Sequence, residues 1–201
     1  MGATSSSFSS TNSPTARRYA RLALVAVLAL LAWSAFRDEY GSVPIIGDVD
    51  TAVHEFGHML FMPFGIPVLG RTMFILGGSL TQVAFPLIFF GYFVRNRKEK
   101  PRDLFAAMVC VWWSAMNLLS VAVYCADSRA GRLMLLDGLT GQESDGHDWY
   151  NLLDGWGWLE HDIAIARGMR AVAWLMCVVA LLVASWSALQ PDIRDGLDTT
   201  G

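Results

Sequence analysis

Four stretches of the chain are long, apolar and almost free of charge: residues 22–36, 77–94, 104–125 and 171–189. Each approaches the ~20 residues that carry a helix across a ~30 Å hydrocarbon core. Their borders are polar. Arg17, Arg18 and Arg21 precede the first run, and Arg37-Asp38-Glu39 closes it. A strongly basic loop, residues 95–102, separates the second from the third, and Arg167 and Arg170 precede the fourth. The pattern predicts an all-α, polytopic membrane helix bundle with four spanning helices. A basic flank before a hydrophobic core also describes a secretory signal. The residues around Trp33-Ser34-Ala35 make a poor cleavage site, and counted from Tyr19 the run is long enough to span, so a retained first helix is expected.

Between these runs lies a fifth, shorter element. Residues 41–47 contain Pro44 and two glycines and read as a loop; residues 48–62 then read as a helix, which Pro63, Gly65 and Pro67 are expected to break. At 1.5 Å per residue such a helix covers roughly 22 Å, less than the hydrocarbon core, so it is expected to be re-entrant or strongly tilted. Residues 66–76 are a weakly apolar connection holding Arg71. Gly77-Gly78-Ser79 opens the next span with small residues suited to close helix contact, and Gln82 within it should face protein through an interhelical hydrogen bond. Residues 1–16, rich in Ser, Thr and Ala, read as a disordered tail, residues 17–190 as one membrane-integral domain, and residues 191–201 as a short C-terminal tail.

Charge sets an expected sidedness. Basic loops favour the cytoplasm, which places both the N-terminal arginines and residues 95–102 there. An even number of crossings must then separate them, which requires the short helix to return to its side of entry. The segment 126–162, with eight acidic residues against Arg129 and Arg132, falls on the opposite, extracytoplasmic side together with the mouth of that helix.

Composition agrees with a membrane chain. Hydrophobic residues make up 54% and charged residues 16%, where ordinary globular domains run near a quarter charged. The net charge of -3 gives no footprint for nucleic acid. Cys110, Cys125 and Cys177 lie in or beside apolar runs without a CxxC pair, so neither a disulfide framework nor a cysteine metal site is indicated.

The short helix carries the chemistry. His54-Glu55-Phe56-Gly57-His58 is an HExxH sequence. On a helix, residues four apart share a face, so both imidazoles can reach one ion while Glu55 sits beside them. Two neutral His nitrogens, a third protein ligand and an open position for water make a catalytic Zn²⁺ site, with the Glu as general base. HExxH also arises by chance on exposed helices. Here its three ionisable groups stand in an apolar setting, where they are costly unless paired or wetted. Asp50, one turn earlier, is placed to accept the free N–H of His54.

A third ligand must come from elsewhere. His147 and Asp148, after Ser144-Asp145-Gly146, stand at a plausible helix start on the HExxH side of the membrane. Adjacent helical residues diverge by about 100°, so only one of them should bind. His147 is narrowly preferred, and Trp149 is expected to anchor the segment at the interface. Asp137, in Leu136-Asp137-Gly138, is the fallback, and His161 has no further support. A diiron site would need more than the 4 His present, and an i, i+4 pair cannot supply both axial ligands of a haem.

The HEFGH helix in an apolar context, followed by Gly77-Gly78-Ser79-Leu80 with Gln82, resembles the site-2 protease type of intramembrane zinc metallopeptidase. The resemblance covers roughly residues 48–155. In that family an Asp in a Leu-Asp-Gly sequence of a later transmembrane helix supplies the third ligand. Leu136-Asp137-Gly138 matches the letters, but no Asn-Pro precedes it and no apolar run surrounds it. Gly146-His147-Asp148-Trp149 followed by Tyr150-Asn151-Leu152-Leu153 is similar to small bacterial membrane proteins related to these peptidases, which implies that the His-Asp pair completes the site. The resemblance implies a zinc peptidase in a bacterial inner membrane, acting on a membrane protein or peptide substrate; the charge pattern adds that its site should open to the extracytoplasmic side. The other expectation is a metal-binding pseudo-protease with a structural or regulatory role, favoured by the lack of an evident substrate-selecting domain and opposed by the intact Glu55.

Overall fold

A computed structural model describes residues 14–44, 46–65, 70–95, 102–135 and 138–190. Among them the chain forms α1 (Pro14–Arg37), α2 (Ile46–Gly65), α3 (Gly70–Val94), α4 (Leu104–Ala126), α5 (Asp148–Gly155) and α6 (Asp162–Leu189), with a single 3₁₀ turn, Leu159–His161, leading into α6. The described residues contain no strand, only an isolated bridge between Met134 and Thr140. Four helices, α1, α3, α4 and α6 with its 3₁₀ turn, are long and apolar enough to cross a membrane. The protein is an all-α membrane helix bundle. Its outward faces are those of a protein solvated by lipid: Leu30, Ile88, Leu182 and Trp186 all point away from the bundle.

The helices outrun the apolar stretches that announce them. α1 begins at Pro14, inside the segment expected to be tail; a proline fits the first turn, where its missing N–H would have no partner anyway. The rest of the expected tails, residues 1–13 and 191–201, lies outside the described residues. α3 starts at Gly70, so Arg71 and Phe74, read as connection, are helical. α6 starts already at Asp162, whose carboxylate takes both arms of the Arg129 guanidinium at 2.9 and 2.7 Å. That ion pair ties the turn after α4 to the head of α6.

α4 is the central column, packed chiefly against α6 on one side and α3 on the other. Its buried face carries Trp112, Ala115, Met116 and Leu119 against Leu28 and Ala32 of α1 and Ala173, Cys177 and Ala180 of α6. Small residues on α6 let the backbones approach, which is how helices associate in lipid, where apolar burial alone drives little. Polar side chains within the bundle close hydrogen bonds across helices. Ser114 Oγ donates to the Val83 carbonyl at 2.8 Å, and Asn117 Nδ2 donates to the Gln82 carbonyl at 2.7 Å.

α2 does not start at a membrane surface. α1 ends beside the early turns of α6, where the Phe36 carbonyl accepts from Arg170, and the segment after it packs Gly41 against Leu119 and Val123 in the later turns of α4. Val43 and Ile46 then join the apolar cluster shared by α1, α4 and α6, and one turn into α2 Asp50 reaches Trp113, near the middle of α4. From there α2 runs antiparallel to α3 and back toward the start of that helix, as its successive contacts with Gln82, Gly78 and Phe74 trace. The chain therefore enters and leaves at one end of the bundle, a re-entrant course. At 20 residues α2 is longer than expected. It runs through Pro63, giving up one hydrogen bond to the turn before it, and ends at Gly65. Asp48, Asp50 and Glu55 exclude it from the apolar spans. This course puts Arg21 beside Asp103 at 4.0 Å, so the first turns of α1 and the start of α4 share one end of the bundle. Single cysteines at Arg95 and Ser144 are accordingly expected to react with an impermeant thiol reagent from opposite sides of the membrane. Labelling of both from the same side would contradict the arrangement.

Candidate metal centre

The close α2–α3 crossing depends on glycine. A Cβ on Gly57 would meet the Gly77 carbonyl and the Thr81 side chain, and one on Gly78 would lie 2.5–2.6 Å from the Nε2 atoms of His58 and His54. With only hydrogens at these points, α3 fits against the two imidazoles and reaches past them. Gln82 Oε1 stands 3.1 Å from His54 Nδ1, and the Phe74 carbonyl oxygen stands 2.8 Å from His58 Nδ1. A carbonyl oxygen only accepts, so His58 Nδ1 carries the hydrogen and, in the neutral ring, Nε2 presents its lone pair. The rings stand 4.8 Å apart, edge to face.

Asp148 completes the group. Its Oδ2 lies 3.2 Å from His54 Nε2 and 3.0 Å from His58 Nε2. All three ligand atoms lie within 4.8 Å of one another. Tetrahedral ligands about 2.0–2.2 Å from zinc stand about 3.4 Å from each other, and the two His–Asp distances of 3.2 and 3.0 Å lie close to that spacing. Electrostatics calls for positive charge at this point, carried by a proton on an imidazole or by a cation. A carboxylate oxygen facing an imidazole lone pair is repulsive unless a proton or a cation stands between them. Burial alone would push the Asp148 carboxyl up; the hydrogen bonds and charges of His54 and His58 outweigh it and hold the group below the usual carboxylate range.

His147 does not join the group. It is the N-cap of α5, and an N-cap side chain turns back onto its own helix. Its Nδ1 accepts from the Tyr150 N–H at 3.2 Å, and its Nε2 faces Asp127 Oδ2 across 3.5 Å. The ring is buried, which pushes its pKa down. The narrow preference for His147 over Asp148 is thus corrected by capping: the first helical residue, not the cap, projects toward α2. Asp127 in turn accepts from the backbone N–H groups of Arg132 and Leu133, both at 2.9 Å. Asp137, the fallback, lies outside the described residues.

Two smaller expectations also change. Asp50 does not meet His54; its Oδ1 accepts from Trp113 Nε1 at 2.8 Å. Helical side chains lean toward the N-terminus, so a short side chain one turn upstream points away from the imidazole, while Gln82 arrives level with it from α3. Trp149 is no interfacial anchor. It is buried, donates from Nε1 to Ser79 Oγ at 3.1 Å, and with Leu152 and Leu153 packs among Ile75, Val121, Cys125 and Ala166. Each such side chain contributes about 1.5–3 kcal/mol on burial. With the Asp148 N–H donating to the Tyr124 hydroxyl at 3.0 Å, α5 is pinned to both α3 and α4. Trp156 and Trp158, exposed at the α5–α6 corner, are the tryptophans of this segment free to meet an interface.

The three-residue group opens into a cavity of about 690 Å³. Glu55, exposed on α2, lines it with His54, His58 and Asp148, and so do Tyr124, Ser120, Thr51 and the apolar residues Leu133 and Leu135. Tyr124 was not among the residues marked out by sequence. The available signal was faint: it is the one tyrosine of α4, next to the polar segment. Comparisons with family models, with curated proteins and with solved structures found no match to this chain.

Proposed function

We propose that this chain is a membrane-integral, zinc-dependent hydrolase, a peptidase of the site-2 protease kind acting on membrane proteins or peptides. The observation that carries the reading is the convergence of His54, His58 and Asp148 beside Glu55 in one cavity. The donor set suits zinc, since two imidazoles and one carboxylate are what a catalytic zinc site takes from a protein. Zinc held there supplies a Lewis acid that polarises a substrate carbonyl and makes water acidic enough to attack near neutral pH. Gln82 and the Phe74 carbonyl engage the imidazoles at Nδ1, so the Nε2 atoms of His54 and His58 would hold the metal. Glu55 takes the proton as the water oxygen bonds to the carbonyl carbon. As the C–N bond breaks, Glu55 hands that proton to the leaving nitrogen. The cavity admits the water that hydrolysis consumes, and the polar segment after α4 forms part of its wall through Leu133 and Leu135.

By the charge rule the cavity opens to the extracytoplasmic side, and a bacterial inner membrane is the setting we propose. The test is hydrolysis of single-span peptide reporters by the purified chain, with the Glu55→Gln chain, equally loaded with zinc, as the blank. A wild-type chain that holds zinc and cleaves none of a broad reporter panel contradicts the peptidase reading and leaves the pseudo-protease in its place.

A further inference from the structure

Tyr124 is held at the metal centre with more order than a side chain docking α5 would need. Its ring lies against the His147 ring, with centroids 4.4 Å apart and planes tilted by 30°, and meets His54 edge-on at 6.2 Å. Its oxygen is committed on one side, accepting the Asp148 N–H at 3.0 Å. A phenol both accepts and donates. The Tyr124 hydroxyl proton is given to no acceptor among the described residues, although the group lines the same cavity as Glu55, His54, His58 and Asp148. The residue whose backbone it accepts from is the one whose carboxylate faces the two imidazoles, so the hydroxyl stands beside the centre, on a residue that lines the cavity.

We infer that Tyr124 is a catalytic hydrogen-bond donor of this site, giving its O–H to the oxygen of an acyl substrate as negative charge gathers there. The inference rests on the zinc-hydrolase reading and adds an oxyanion-stabilising group to it. A preorganised donor of this sort is worth roughly 10²–10³ in kcat. Clamped between two imidazoles, the phenol needs no reorganisation to supply it. The purely structural role, an acceptor for one α5 N–H, explains the oxygen and leaves the uncommitted proton without a task.

The test uses the full chain in detergent, loaded with Co²⁺, and a minimal tetrahedral oxyanion, inorganic phosphate. Phosphate binding is read from the visible absorption of the cobalt. The Tyr124→Phe chain is expected to take up Co²⁺ as the wild type does and to bind phosphate about tenfold or more weakly, the loss of one hydrogen bond to a charged group. Incorporation of 3-fluorotyrosine at position 124, measured where the phenol is still protonated, is expected to tighten phosphate binding, because a more acidic donor of the same shape is in place. Unchanged phosphate affinity in either chain overturns the inference, as does a wild-type cobalt centre that binds no phosphate. Loss of Co²⁺ from Tyr124→Phe also overturns it and makes Tyr124 a positioning residue for Asp148. A wild-type chain that takes up no Co²⁺ fails the metal reading itself, a result distinct from all of these. Should Tyr124→Phe not fold, the fluorotyrosine chain, which keeps the acceptor for α5, decides alone.

Discussion

Zinc affinity is expected to fall by more than about 100-fold in Asp148→Ala and by less in His147→Ala. The two residues are neighbours, yet they do different work. Asp148 Oδ2 stands 3.2 and 3.0 Å from the two Nε2 atoms, and its removal leaves two protein ligands where a catalytic site takes three. His147 contributes an N-cap and a buried ring. Losing a cap costs about 1 kcal/mol, and disturbing an outer support of a metal ligand typically costs about 10–100-fold in affinity. Competition titrations with a chromophoric chelator on the two purified chains check the order. An inverted order, with His147→Ala the weaker binder, would mean that the histidine is the ligand.

Turnover is expected to drop by about 10²–10⁴-fold in Glu55→Gln, the range that a positioned general base supplies. Glutamine keeps the size and polarity of the side chain but cannot take a proton. Glu55 is not among the three residues whose ligand atoms converge, so zinc content should stay at the wild-type level. The split between lost rate and retained metal separates a base from a ligand. Loss of zinc with the rate would make Glu55 part of the metal cage. Wild-type turnover in this chain would remove it from the mechanism.

Much of the fold was legible because lipid writes its requirement plainly: an uninterrupted apolar run needs only its length to announce a span. The ends were less legible. At α3 the first turn holds Arg71 and Thr72, which dilute the hydropathy without opposing a helix, so the element shows only from Gly77 onward. The re-entrant course of α2 was readable only indirectly, from the parity of charged loops, and then reappears in contacts such as Asp50 with Trp113. At the site, HExxH was legible because i, i+4 spacing is a local property of a helix. The choice between His147 and Asp148 was not, because it turns on which of the two is the cap, and a boundary one residue either way exchanges their directions. Gln82 was legible as an interhelical bond but not its partner. Tyr124 was hidden for a different reason. A tyrosine at the end of an apolar run has a sufficient explanation as an interfacial aromatic, and only the docking of α5 brings Asp148 to its hydroxyl.

The claim on which everything else rests is that His54, His58 and Asp148 bind one metal ion. Metal content of the wild-type chain, purified in detergent without chelator, tests it against His58→Ala prepared in parallel. The account predicts about one zinc per wild-type chain and almost none in the variant, with both chains equally helical. A wild-type chain that carries no metal and takes none up, or a His58→Ala chain that retains the wild-type amount, would contradict it.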